Sequence, residues 1–331
     1  MDYGHPLEFG AFITPVADPP DAPVRLARFA EDAGLDLVTF QDHPYQPRFH
    51  DTLTLLTWVA AQTSRIRVSG NVLNLPLRQP AVLGRTAASL DLLSGGRFEL
   101  AIGSGGFWDA IAAMGGPRRS PGESVEALQE AIAIIRGIWD GDERSALRLH
   151  GRHYSVDGAK RGPAPAHDIP IWIGAYQPRM LRLTGRLGDG WLPSLPYLKP
   201  GDLQRGNATI DDAAAGAGRD PREIRRLLNI NGRFASSRSG FLQGPVDAWV
   251  EDLVQLALED GVGTFILVSD DPGDIARFAE EVAPAVRDAV AAERASHGTP
   301  GGRVRSAAAR AQRVAGIDYD GLPASLADTA I

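Results

Sequence analysis

Short apolar runs alternate with segments of helical period along most of this chain, and that alternation restricts the fold more than any other feature of the sequence. Strand-like runs fall at 7–13, 35–40, 66–73, 97–102, 169–173, 190–193, 227–234 and 264–268. Segments with apolar residues every three or four positions fall at 22–33, 52–62, 81–93, 124–139, 179–187, 203–217, 246–258 and 275–292. In the first of these, Leu26, Phe29, Ala30 and Ala33 share one face. Ser94-Gly95-Gly96 closes the third, a left-handed helix-stop signal. Strand, helix and strand in succession make a parallel pair with a right-handed crossover. Eight such units in 331 residues predict a closed (β/α)8 TIM barrel rather than an open, doubly wound sheet.

The regular order is interrupted once, between strands 4 and 5. A Gly/Pro/Arg loop at 115–122, a long helix and a short alternating hairpin at 147–156 read there as an insertion. From 296 onward the pattern changes. Gly298-Thr299-Pro300-Gly301-Gly302 reads as a linker, and 306–314 as an alanine-rich helix with little apolar content. The domain reading is a barrel over 1–295 and a C-terminal linker and extension over 296–331.

Composition narrows the partners. A net charge of −7 offers no electrostatic footprint for nucleic acid or an anionic membrane surface. No apolar run is long enough to span a bilayer, and residues 1–10 lack the basic and apolar regions of a secretion signal. With no cysteine, thiol chemistry, disulfides and cysteine metal sites are excluded, and the expected compartment is the cytoplasm. No metal site is expected. His150 and His153 have metal-pair spacing but no third ligand in the pattern.

Barrel enzymes place their chemistry on the loops after the strands. Strand 2 ends in Gln41-Asp42-His43-Pro44-Tyr45. A histidine at a strand mouth suits proton transfer near neutral pH, although Asp and Pro are also ordinary turn formers. Strand 3 ends in Gly70-Asn71-Val72, where a glycine inside a strand pattern marks a bulge or a close ligand approach. Strand 4 ends in Gly103-Ser104-Gly105-Gly106, a turn with bare amides for an anion. It matches neither the dinucleotide nor the P-loop fingerprint. Strand 5 ends in Gly174-Ala175-Tyr176, followed by Arg179 at a helix start, where a guanidinium can meet a phosphate.

The stretches TFQDHPY, GNVLNLPLRQPAVLGRTAASLDLLSGGRFELAIGSGG and IPIWIGAYQPRMLRLTGRLGDGWLP resemble the luciferase-like flavin-dependent oxidoreductases. The likeness runs from about Phe9 to Ala289. It implies a barrel with an insertion in the strand-4/5 region, a homodimer, and a flavin ring across the barrel mouth. Members use FMN, as alkane and sulfonate monooxygenases do, or the deazaflavin F420, as certain sugar-phosphate dehydrogenases and methylenetetrahydromethanopterin reductases do.

The resemblance makes His43 the catalytic candidate, near the reactive edge of the ring. It places Asp42, Gly70, Asn71, Val72, Gly103, Ser104, Gly105, Gly106, Gly174, Ala175, Tyr176 and Arg179 around the cofactor. Near Val72 it implies a non-proline cis peptide. The strand-4 and strand-5 loops would hold the phosphate, and Arg118, Arg119 and Arg179 would flank the exit of an anionic tail. One departure stands out: the acid that sugar dehydrogenases of this type carry after the strand-4 turn is here Gly106, and the nearest acid is Asp109.

The function expected is F420-dependent hydride transfer to or from a small organic substrate. The alternatives are an FMN-dependent monooxygenase served by a flavin reductase, and a non-catalytic protein that binds the cofactor.

Overall fold

The computed structural model describes residues 1–297. In chain order the strands are β1 (Glu8–Ile13), β2 (Leu37–Phe40), β3 (Arg67–Gly70), β4 (Leu73–Asn74), β5 (Phe98–Gly103), β6 (Leu147–His150), β7 (Ser155–Ala159), β8 (Ile171–Ile173), β9 (Gly190–Trp191), β10 (Arg225–Ile230), β11 (Arg233–Phe234), β12 (Gln243–Gly244) and β13 (Thr264–Val268). The α-helices are α1 (Ala22–Asp32), α2 (Thr52–Gln62), α3 (Pro80–Ser94), α4 (Trp108–Ala113), α5 (Pro121–Trp139), α6 (Pro178–Leu187), α7 (Asp202–Gly216), α8 (Val246–Glu259), α9 (Pro272–Arg277) and α10 (Ala283–His297). The main sheet runs β3-β2-β1-β13-β10-β9-β8-β5-β4, all parallel, and β3 pairs with β5 to close it. Because β4 continues β3 beyond Asn71–Val72, the closed sheet has eight staves.

Side chains alternate along each stave, so the inward residues fall into layers. The lowest is charged. Glu8, Arg67, Glu99 and Arg225 point into the base, where Arg67 reaches Glu8 and Glu99 at 2.7 Å each and Arg225 reaches Glu8 at 2.9 Å. Burial pushes the Glu8 carboxyl up, but Arg225 and Arg67 outweigh it and hold it below the usual carboxylate range. The middle layer is apolar: Leu37, Ala101, Trp172, Leu227 and Ile266, roofed by Phe12, Val72 and Leu192. Gly190 makes room for the large ring, since a Cβ there would lie 2.5 Å from the Trp172 indole. The outward faces of the staves pack on the helices in the larger core.

Three readings of the pattern needed revision. Strand 3 is broken at Asn71–Val72, whose peptide bond is cis. Strand 7 ends at Ile230 and a short strand resumes at Arg233–Phe234, with Gly232 between them, where a Cβ would collide with the Leu242 carbonyl and the Trp249 ring. The last helical segment is α9 and α10 joined by a π-helical turn at Phe278–Val282. α10 runs to His297, and Arg294 within it grips Asp2 at 2.7 and 2.8 Å. The linker at 298–302 and the helix at 306–314 lie outside the described residues.

The insertion is anchored by one carboxylate. Glu130 on α5 accepts the amides of Arg152, His153 and Tyr154 at 2.8, 2.9 and 2.8 Å, which fixes the β6–β7 turn on the helix. α5 itself starts three residues earlier than the apolar period indicates. Ser120 and Glu123 form a capping box with Pro121 in the first turn. His150 and His153 are directed to Ser155 and Glu126, and no cluster suited to a metal ion occurs among the described residues.

The base of the barrel carries a pH-sensitive contact. His167, in the loop before β8, meets Asp91 at 2.8 Å and Glu99 at 3.7 Å. Burial depresses the imidazole pKa, but the two carboxylates outweigh it and raise it to about 9 from 6.5. A group with a raised folded-state pKa adds stability that is complete below its unfolded pKa and is lost as pH rises through the folded one. We therefore expect the melting temperature to fall between pH 6.5 and about 9. His167→Gln should flatten that part of the profile, and an unchanged slope in the variant would assign it to other groups.

Candidate functional site

The C-terminal ends of the staves gather most of the expected residues on one rim. At the end of β2, Asp42 is buried and its carboxylate is fully engaged. It accepts from the Asn74 amide at 2.8 Å and from Arg78 Nε and Nη2 at 3.0 and 2.8 Å. Asp42 was expected beside the cofactor. Its carboxylate instead locks the β2 loop to the β4 turn, and the residue that reaches the mouth is His43.

His43 stacks on Tyr45 at 5.3 Å and meets the edge of Phe107 at 5.3 Å. Tyr45 and Phe107 also touch, with ring centres 6.0 Å apart. Burial lowers the His43 pKa and Asp42 opposes this, with burial the larger effect. The imidazole is therefore neutral near pH 7, able to accept a proton or donate a hydrogen bond. Phe107 is 61 % exposed, an apolar ring held open to the mouth.

The glycines divide into two kinds. A Cβ on Gly103 would lie 2.6 Å from Val72 Cγ2, and one on Gly174 would lie 3.3 Å from the same atom. Both were expected around the cofactor, and their missing side chains make room for Val72. Gly70 is likewise filled by Leu73. Gly105 combines φ +100° with close contact to Pro76 and Trp108, so it sets the path of the turn. Gly106 alone has open space where a Cβ would project. The half-buried Ser104 lies between these glycines.

On the strand-5 side, Ala175 is buried and its carbonyl accepts from Trp191 Nε1 at 2.8 Å. Tyr176 accepts the Ser194 amide at 2.9 Å and stands edge-on to Tyr197. Burial raises the Tyr176 phenol and the Ser194 contacts oppose this, so the phenol stays protonated at neutral pH. Of the three arginines expected to serve an anion, Arg118 is paired with Asp109, which occupies the nearest acid as well. Arg119 lies over the Tyr154 ring at 4.9 Å and donates to its hydroxyl at 3.2 Å. Arg179 is exposed and forms no ion pair among the described residues. Its Nη1 would be 3.1 Å from a Cβ on Gly122, so it reaches from the start of α6 to the start of α5, between the strand-4 and strand-5 loops.

Four polar residues at the mouth escaped the sequence reading: Thr39, Ser194, Asn229 and Arg78. Asn71 and Asn229 form a reciprocal amide pair, 2.7 Å one way and 3.0 Å the other. The detectable signal was an asparagine on the inward register of an apolar strand, two residues after Leu227.

The luciferase-like monooxygenase family model matches residues 3–316. The chain belongs to this family. It is 35 % identical over 181 residues to the F420-dependent glucose-6-phosphate dehydrogenase of Kineococcus radiotolerans, covering 52 % of each chain. It is 33 % identical over 218 residues to the 5,10-methylenetetrahydromethanopterin reductase of Methanolobus tindarius, covering 66 % of this chain and 63 % of that one. The match thus spans roughly half to under two thirds of these relatives' length. An F420-dependent secondary alcohol dehydrogenase solved with an F420–acetone adduct superposes with TM-score 0.75 over 86 % of this chain and 100 % of that one, at 19 % identity. A long-chain alkane monooxygenase superposes with TM-score 0.73 over 95 % and 96 %, at 14 % identity. These two share the TIM-barrel fold.

The two kinds of glycine give opposite expectations. Gly106→Ala should leave the melting temperature close to the parent, because its Cβ would meet no protein atom. Gly103→Ala should push Val72 out of place and cost about 1–3 kcal/mol, the usual scale for overpacking. Thermal melts of the two variants check this, and equal behaviour would contradict the packing role of Gly103.

Proposed function

We propose that this protein binds F420 at the barrel mouth and carries out hydride transfer to or from a small organic substrate. The observation that carries the reading is the His43–Tyr45–Phe107 wall beside the Asn71–Val72 segment. It stands in a chain whose named relatives at 31–35 % identity include F420-dependent enzymes. The residues fit such a group. The rim loops leave open space at Gly106, a flat apolar ring is exposed at Phe107, and Arg179 has no carboxylate partner among the described residues. When bound, the deazaflavin supplies two-electron hydride chemistry, which is a property of the cofactor.

The chain's own residues do the rest. The amides of Gly105 and Gly106, with Arg179, hold the phosphate. Val72, wedged over Gly103 and Gly174, would support the ring of a bound deazaflavin. Tyr45 and Phe107 exclude water beside His43. With Gly106 carrying no acid, Asp109 paired to Arg118 and Asp42 sealed against Arg78, the neutral His43 imidazole is the proton acceptor, or the hydrogen-bond donor, for the substrate oxygen or nitrogen.

Titration with F420 and FMN side by side tests the cofactor. F420 should bind at least about tenfold more tightly, since the full reading requires it. Tight binding of FMN alone would favour the monooxygenase reading. His43→Ala should lower kcat by about 10²-fold, the scale of one acid–base group, with cofactor affinity within a few-fold. An unchanged kcat would return His43 to a turn-forming role.

The same reading carries a cytoplasmic homodimer. Trp58 on α2 and Val82, Leu92 and Leu93 on α3 are large apolar side chains left exposed on neighbouring helices, Leu93 at 83 %. Large apolar side chains exposed along neighbouring helices are a feature of protein interfaces. Sedimentation of Leu93→Asp should show a shift from dimer toward monomer, and a parent protein that sediments as a monomer would end this proposal.

A further inference from the structure

We infer that Asn229 is a positioning residue that holds the Asn71–Val72 segment in place from the opposite wall of the barrel. The inference rests on the reading that the cofactor ring lies over that segment. In the stave order β3-β2-β1-β13-β10-β9-β8-β5, β3 and β10 are four places apart in a ring of eight. Asn71 follows β3 and Asn229 lies on β10, so their side chains meet across the full width of the lumen.

Each amide hydrogen of the pair is used. Asn71 Nδ2 donates to Thr39 Oγ1 at 3.1 Å and to Asn229 Oδ1 at 2.7 Å. Asn229 Nδ2 donates to Asn71 Oδ1 at 3.0 Å and to Ser194 Oγ at 2.9 Å. Thr39 passes its hydroxyl hydrogen to the Ala11 carbonyl at 3.2 Å. A continuous line of hydrogen bonds thus runs from β1 through β2, the end of β3 and β10 to the loop after β9. Asn229 is buried at 2 % exposure, where an unpaired amide would carry a full desolvation cost.

The two amides therefore have no donor left for a ligand, and they act by placement. Asn71 is fixed by Asn229, and the next residue, Val72, is fixed by the space above Gly103 and Gly174. The segment is gripped at one residue by polar contacts and at the next by packing. Asn71 also donates its backbone amide to the Phe40 carbonyl at 2.7 Å, three residues before His43. The height of the segment and the start of the His43 loop are thereby linked. Loss of Asn229 would let Asn71 swing and Val72 tilt without opening the barrel, whose apolar layer lies beneath.

The test compares Asn229→Ala, Asn71→Ala, the double variant and Val286→Ala, which removes buried packing in the outer core instead of the lumen. F420 affinity is read by fluorescence, and so is that of the tail-free deazaflavin ring compound. Asn229→Ala should weaken both ligands by the same factor, about tenfold, the scale of a lost buried amide contact. The double variant should lose no more than the worse single one, because the pair acts as a unit. Val286→Ala should lower the melting temperature at least as much while leaving affinity within about twofold, because it shares no partner with the amide pair.

In the ligand-free chain, the side-chain amide protons of Asn71 should exchange slowly, and fast in Asn229→Ala. A parent that binds neither flavin but shows this protection would overturn the proposed function and with it the cofactor role, leaving only the tie. A parent that binds F420, with additive losses in the double variant or equal affinity losses in Val286→Ala, would overturn the positioning role alone.

Discussion

Closing eight parallel strands into a barrel leaves a lumen that must be filled, and the two-residue period of a strand decides what fills it. An inward residue is followed by another inward residue two places on, one layer higher. In this chain Arg225, Leu227 and Asn229 climb β10 in that way, from an ion pair with Glu8 through the apolar middle to the amide pair with Asn71. Glu99, Ala101 and Gly103 climb β5 likewise, from the Arg67 ion pair to the gap that Val72 fills. The layers are coupled, because one stave carries a member of each.

This coupling separates support from chemistry at the mouth. Asp42, Gly103, Gly174 and Asn229 all sit at strand ends, where a barrel enzyme carries its function, yet each is directed into the protein. Asp42 is spent on Arg78 and Asn74, the two glycines on Val72, and Asn229 on Asn71 and Ser194. What they leave facing outward includes neutral His43, the Tyr45 and Phe107 rings, the open turn at Gly106 and Arg179, which has no ion-pair partner among the described residues. Asp42 acts on His43 through space and raises its pKa, but burial of the imidazole is the stronger influence.

The base of the barrel follows the opposite logic. Its charges are packed together and partly desolvated, which makes each single contact costly to leave unpaired. Glu99 links the lumen to the outside, held by Arg67 within and facing His167 without.

Local chemistry in the sequence was sufficient for the order of elements, the barrel and the place of the insertion. Apolar periodicity and glycine or proline punctuation act over a few residues and survive without knowledge of the partners. The same local signals put His43, the strand-4 turn and the strand-5 turn on one rim, since parallel strands share one C-terminal end. They were silent on direction. Whether Gly103 faces a ligand or Val72, whether Asp42 meets a cofactor or Arg78, and whether Arg118 is free or bound to Asp109 depend on atoms up to tens of residues away in sequence. Asn71 and Asn229, 158 residues apart, come together only because barrel closure sets their staves face to face. Only the tertiary structure decided that contact, for a side chain's partner across a lumen is set by stave order and register, which no local pattern encodes.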